Sequence, residues 1–236
     1  MGENQKIRIY ATIPHADGIK AWGKHHIEIF ERICSPQVEV TIGDIPHAPI
    51  NTILSVYDAE LVGHLHVEEA LKAEAAGYNA VAMGCLDEPG VSAAKEALTI
   101  PAVGEAEASM HYASMAGRRF SFVGPDVPVD LVHKYGFASK LASIVPVNAP
   151  SLDYAAEEPR LPQELLDAAR KAIKDDGADV IIAYGTLMVT DYLRDQLSVP
   201  VIDPVQATVM MAEAMVRLRI SQSKQAYPNP ISLQSN

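Results

Sequence analysis

The chain has 236 residues, 48% of them hydrophobic, and carries 30 acidic against 19 basic side chains for a formal net charge of -11. That balance argues against nucleic acid and against an anionic membrane as partners, because both call for a basic face, and the longest apolar runs are far below the roughly 20 residues of a membrane span. Cys34 and Cys85 are the two cysteines, too few for a disulfide framework, and nothing before Lys6 reads as a signal sequence. The expectation is therefore a cytoplasmic, reduced protein.

In chain order, residues 6–12 (KIRIYAT) alternate and are rich in β-formers, which predicts a first strand; Ile13-Pro14-His15-Ala16 is the turn after it, and residues 17–34 read as a helix. A strand is expected over 37–42. The connection 43–57, with Pro46, Pro49 and the polar pair Asn51-Thr52, is long enough to be a substrate cover. A helix over 58–76 closed by Gly77, a strand over 79–84 ending at Cys85, a helix over 90–98, a short strand over 101–104 and a helix over 105–116 complete the first half. The second half starts with a strand over 119–123 and the turn 124–128. There follow a helix over 130–141 with Gly136 as its weak point, a strand over 143–147, and a proline- and acid-rich connection over 148–162. A helix over 165–175, a strand over 180–184, a helix over 190–197, a strand over 199–202 and a helix over 207–220 lead to a polar tail, 221–236, expected to be ordered only against a neighbour.

Two stretches repeat each other. GYNAVAMGCLDEPGVSAAKEALTIPAVGEAE, beginning at Gly77, and GADVIIAYGTLMVTDYLRDQLSVPVIDPVQA, beginning at Gly177, align with one-residue slips. Each reads as strand, turn, helix and second strand, a β-α-β unit whose parallel strands need a crossover helix. The repeat predicts an α/β fold of two pseudo-symmetric lobes, each a mainly parallel sheet flanked by helices, with the site in the cleft between them. The first lobe is read as 1–116, with 207–220 packing back on it, and the second as 117–220. In open α/β sheets ligands sit beyond the carboxyl ends of the strands. Such a turn carries Gly84, Cys85, Leu86 and Asp87 in the first copy and Gly185, Thr186 and Leu187 in the second.

Cys85 follows an apolar strand and precedes a helix, where free amide hydrogens are expected to lower the thiol's pKa or hold a substrate carboxylate beside it. Cys34, near a helix end, reads as inert packing. His15 is a candidate base or donor, since its turn also lies at a strand end, with a solvated loop histidine as the plainer alternative. The amides around Thr186 and Leu187, with the Thr186 hydroxyl, could hold an oxyanion, a carboxylate or a water; Thr186 could equally be a helix cap. His64 and His66, two apart on one helix, do not share a face, which argues against a metal site there.

The run Gly84-Cys85-Leu86-Asp87-Glu88-Pro89-Gly90, followed by Pro101-Ala102-Val103-Gly104 and Glu107-Ala108-Ser109-Met110, resembles the aspartate/glutamate/hydantoin racemase superfamily, most of all its hydantoin racemase branch. Gly177-Ala178-Asp179-Val180-Ile181 and Pro200-Val201-Ile202-Asp203-Pro204 add to the likeness, which covers most of residues 6–217. The resemblance implies an enzyme that acts on a small-molecule substrate without metal or cofactor, with two cysteines, one per lobe, flanking the substrate's α-carbon, one thiolate removing its proton and the other thiol returning one. Cys85 matches the first; Thr186 stands in the place of the second. Ile13-Pro14-His15-Ala16 keeps only the proline of that branch's Asn-Pro-Asn-Thr turn, which implies a changed ligand loop. Glu107 matches a family position where a structural role is as plausible as a catalytic one.

On this reading Cys85 is the catalytic residue, with Pro14, His15, Leu86, Asp87, Gly185, Thr186 and Leu187 contacting substrate, and the protein is expected to be a homo-oligomer. The expected activity is single-thiol nucleophilic attack on a small amide, imide or unsaturated acid, giving hydrolysis or isomerisation. The alternatives are a hydantoin or amino-acid racemase with a non-cysteine second acid or base, a decarboxylase, or a binding protein that has kept the cleft and lost turnover.

Overall fold

The computed structural model describes residues 6–124, 129–149, 156, 158–184 and 187–233. The chain divides into two compact units, Met1–Glu105 with Thr208–Asn236, and Ala106–Ala207. In the first, β1 (Ile7–Ile13), α1 (Gly18–Ile33), β2 (Val38–Asp44), α2 (Val56–Ala75), β3 (Ala80–Met83), α3 (Val91–Ala97) and β4 (Ala102–Gly104) alternate along the chain. Their strands form an all-parallel sheet in the order β2-β1-β3-β4. All of β3 is buried, as a parallel strand covered on both faces must be. Val81 and Met83 pack with Ala70 and Ala73 of α2, Val91 and Ala94 of α3, and Leu98 and Ala102 beyond it. Those small and branched apolar side chains bring α2 and α3 close to the strand that leads to Cys85. Ser55 caps α2 by accepting from the Asp58 amide, while its hydroxyl donates to the Asp58 carboxylate, a reciprocal arrangement that fixes where the 45–55 connection ends.

Helix α4 (Glu105–Ala116) leads into the second unit, where β5 (Phe120–Gly124), α5 (Val129–Lys134), β6 (Leu141–Pro146), α6 (Leu161–Asp175), β7 (Val180–Ala183), α7 (Leu187–Gln196) and β8 (Val201–Ile202) follow. Helix α8 (Pro204–Leu218) comes after β8. The second sheet is again parallel, in the order β6-β5-β7-β8. The same strand order in both sheets is the structural form of the repeat, and the α/β class expected from it is what the chain adopts.

Several element boundaries differ from the sequence reading. The helix expected over 130–141 stops at Lys134. Gly136 takes a φ of 78°, the left-handed conformation that ends a helix, and the Phe137 amide turns back to the Val132 carbonyl. Phe137 is thereby buried edge-on against Phe120, and a turn over 138–140 leads into β6. Helices α6 and α8 begin earlier than expected because Pro162 and Pro204 sit in their first turns, where a missing N–H leaves no bond unmade.

The tail is also corrected. Rather than waiting for a neighbour, residues 221–224 bind their own unit. The Lys224 ammonium donates to the carbonyls of Lys95, Glu96 and Leu98. Gln222 accepts from the Ala102 amide and donates to the Leu98 and Ile100 carbonyls, and the Ser221 hydroxyl donates to Thr99. The physical reason is that the end of α3 exposes carbonyls and the outer edge of β4 exposes both donors and acceptors; the tail satisfies them and adds a cation at the negative helix end. Lys224→Met is expected to lower stability by about 1 to 2 kcal/mol in urea denaturation; an unchanged midpoint would mean that the tail is a passenger.

Candidate active site

The site starts from the pairing of β1 with β3, which sets Thr12 opposite Met83 and brings the 13–16 turn beside the turn after β3. The Gly84 amide donates to the Thr12 carbonyl at 3.1 Å, and a Cβ at Gly84 would lie 2.2 Å from that oxygen, so a glycine is required there. Cys85 comes next, at a φ of 84°, a left-handed conformation that costs a side-chain-bearing residue roughly 1–2 kcal/mol. The Glu88 amide closes the turn onto the Cys85 carbonyl at 3.0 Å. Gly90, at a φ of 75°, then starts α3 so close to α2 that a Cβ would lie 2.4 Å from the Gly63 carbonyl oxygen. Cys85 is therefore held in a costly conformation by a sheet on one side and a helix on the other, the kind of local strain that functional turns carry.

Cys85 is half-buried as a residue, and its thiol donates to Asp87 Oδ2 at 3.5 Å. Burial, and after it the negative charge of Asp87 with a smaller part from Glu105, pushes the thiol pKa well above its ordinary range. This overturns the expectation of a lowered pKa. The helix that was to supply positive amides begins only at Val91, beyond the turn, whereas the carboxylates stand close. The Asp87 amide does favour the thiolate, but it is outweighed.

His15 is buried rather than solvated. Its Nδ1 faces the Ala16 carbonyl at 3.0 Å, and burial lowers its pKa, so the ring is neutral and inward. Pro14 and Leu86 are buried beside their strands, and Asp87 is half-buried. Gly185 and Thr186 lie outside the described residues, and Leu187 opens α7. Cys34 has its pKa raised to about 11 by burial and by Glu213, in keeping with a packing role. The Ala16 amide donates to the Ile50 carbonyl, tying the 45–55 connection to the β1 turn. There a depression of about 510 Å³ is lined in part by Ala16, Pro49, Ile50, Asn51, Thr52 and Asp58.

Sequence reasoning missed Glu105, which sits where β4 ends and whose charge reaches Cys85; Glu107 was singled out instead. The available signal was its position at the carboxyl end of a strand, the criterion already used for Cys85. His66, weighed in the sequence only as a metal ligand, is fully buried with Nε2 at the Thr12 hydroxyl and Nδ1 at the Pro89 carbonyl.

The turn after β3 thus presents one thiol beside the carboxylates of Asp87 and Glu105. The pattern that defines the Asp/Glu/Hydantoin racemase family matches residues 25–212. The chain belongs to that family. It is 34% identical over 187 residues to the hydantoin racemase of Paenarthrobacter aurescens, covering 75% of this chain and 79% of that protein. To the hydantoin racemase of Pseudomonas sp. (strain NS671) it is 34% identical over 180 residues, 73% of this chain and 72% of that one. The structure of allantoin racemase from Klebsiella pneumoniae superposes with a TM-score of 0.86 at 27% identity, covering 95% of this chain and 94% of that chain. Among the described residues no helix is long and apolar enough to cross a membrane.

Proposed function

We propose that the protein is a cofactor-independent racemase of a small cyclic ureide of the hydantoin or allantoin class, with the Cys85 thiol moving the proton on one face of the substrate's α-carbon. The observation that carries this is the Cys85 turn itself, a thiol fixed at the carboxyl end of β3, in a chain similar to hydantoin racemases over about three quarters of its length.

The raised thiol pKa means that Cys85 rests protonated. In that form it is a donor: its proton passes from sulfur to the α-carbon of an enolate, leaving a thiolate, while the α-proton has left from the opposite face. For the other enantiomer the steps run backward, from the enzyme form whose proton is on the opposing group. Thr186 stands where the family's second cysteine would be, so that group is a non-cysteine acid or water. The same resting protonation weakens nucleophilic hydrolysis, the first expectation, because the thiolate is the nucleophile. The 45–55 connection and its depression beside the β1 turn are assigned to covering the substrate.

The test is to incubate enantiopure 5-substituted hydantoins and allantoin with the protein in deuterium oxide. Recovered substrate is expected to carry deuterium at the stereogenic carbon, with no covalent adduct on Cys85 by intact-protein mass spectrometry. A ring-opened product or a thioester on Cys85 would restore the hydrolytic reading.

A further inference from the structure

We propose that His66, acting through Thr12, is a positioning residue that holds the Cys85 turn in its reactive conformation; the inference rests on Cys85 being the reacting group. The residues come from three separate places: Thr12 at the end of β1, His66 in α2, and the turn from Gly84 to Pro89. The Pro89 carbonyl can only accept, so His66 Nδ1, 2.8 Å away, carries the hydrogen. The buried ring is neutral, its pKa lowered to about 4 mainly by burial, so Nε2 must accept. The Thr12 hydroxyl is the donor facing it; the Ala82 carbonyl, at 3.4 Å, is the more distant of the two acceptors within that hydroxyl's reach. Thr12 Oγ1 in turn faces the Gly84 amide at 3.4 Å, alongside that amide's bond to the Thr12 carbonyl at 3.1 Å.

One imidazole is thereby tied to both ends of the turn, to Gly84 through the hydroxyl and to Pro89 directly. Between those ends lie the two side-chain-bearing residues in left-handed conformations, Cys85 at a φ of 84° and Glu88 at 52°. Such conformations persist only where the surroundings over-determine them. The relay supplies that determination and sets where the sulfur stands relative to Asp87. Loss of the relay would let the turn relax and carry the sulfur away from the carboxylate that keeps it protonated.

The experiment is peptide-resolved alkylation of Cys85 by iodoacetamide across pH, with Cys34 as internal control, in Thr12→Val, Thr12→Ser and His66→Asn. Thr12→Val keeps shape and removes the hydroxyl; Thr12→Ser keeps the hydroxyl; His66→Asn retains a donor near Pro89 and loses the Thr12 tie. Thr12→Val and His66→Asn are expected to alkylate Cys85 several-fold faster at pH 7, with the pH profile displaced downward and Cys34 unchanged, while Thr12→Ser follows wild type. With a hydantoin substrate, kcat should fall by about tenfold or more with KM little changed, as expected when a reacting group is misplaced rather than removed. If the folded variants lose thermal stability while the Cys85 profile stays that of wild type, His66 is merely structural and the inference is overturned. Should Thr12→Val fail to fold, His66→Asn carries the same comparison. Alkylation needs no substrate, so a failure here leaves the racemase reading standing, and absence of racemisation by wild type leaves the alkylation result standing.

Discussion

Replacing Cys85 by alanine is expected to reduce racemisation by about 10²- to 10⁴-fold, the usual worth of a positioned general acid or base, while the wild-type thiol itself alkylates slowly at pH 7. These outcomes belong together. A thiol whose pKa is pushed up by burial and by Asp87 is almost wholly protonated near neutrality, so its alkylation rate should climb with pH through 9 without levelling. Asp87→Asn removes the nearest negative charge, which helps to raise the thiol pKa, and should therefore speed alkylation at pH 7. Fast labelling of the wild type with a plateau near pH 7 would contradict the donor role. Cys85→Gly adds a second signature: at a φ of 84° glycine escapes the left-handed penalty, so this variant should be inactive yet no less stable than Cys85→Ala in urea denaturation.

Acidification from pH 6.5 to about 4 is expected to cost several kcal/mol of folding stability. His26 and His66 are both buried, and burial lowers each pKa from 6.5 to about 4 in the folded protein. Above pH 6.5 both states hold the rings neutral and the stability is fully present. Between 6.5 and 4 the unfolded chain binds protons that the folded chain refuses, and stability falls by about 3 kcal/mol per ring across that window. His15, also lowered by burial, acts in the same direction. Asp203 opposes them: burial raises its pKa against the hydrogen bond from Thr190 and the cap it makes to Gln206, so its earlier protonation in the folded state returns part of the loss. Urea denaturation at pH 7.5, 6, 5 and 4.5 measures the balance; a flat profile would mean that the rings titrate freely in the native state.

How much of this could be read beforehand varies with the range of the interaction. The repeat of strand, turn and helix is local patterning, and it placed β3, α3, β7 and α7 within a few residues and pointed to Cys85, Leu86 and Asp87 together. The end of α5 was half-legible: Gly136 was noticed, but nothing nearby in sequence says that Phe137 is drawn into a cluster with Phe120. Pro162 and Pro204 misled because a proline inside a helix breaks it whereas one in the first turn does not. The direction of the Cys85 pKa depends on how far the α3 amides stand and on Glu105 reaching across from β4, which are facts of three dimensions. The relay joining residues 12, 66 and 89 has no sequence signature at all; His66 was asked whether it binds metal, while its neighbours in space were elsewhere in the chain. Whatever Gly185 and Thr186 contribute lies outside the described residues.

The most direct measurement of the part assigned to Cys85 is polarimetry of an enantiopure 5-substituted hydantoin with wild type and Cys85→Ala, each corrected for the uncatalysed background. The expected result is rotation that decays to zero with wild type, without change in substrate concentration, and persists with Cys85→Ala. Rotation that persists with wild type, or that decays equally fast with folded Cys85→Ala, would contradict it.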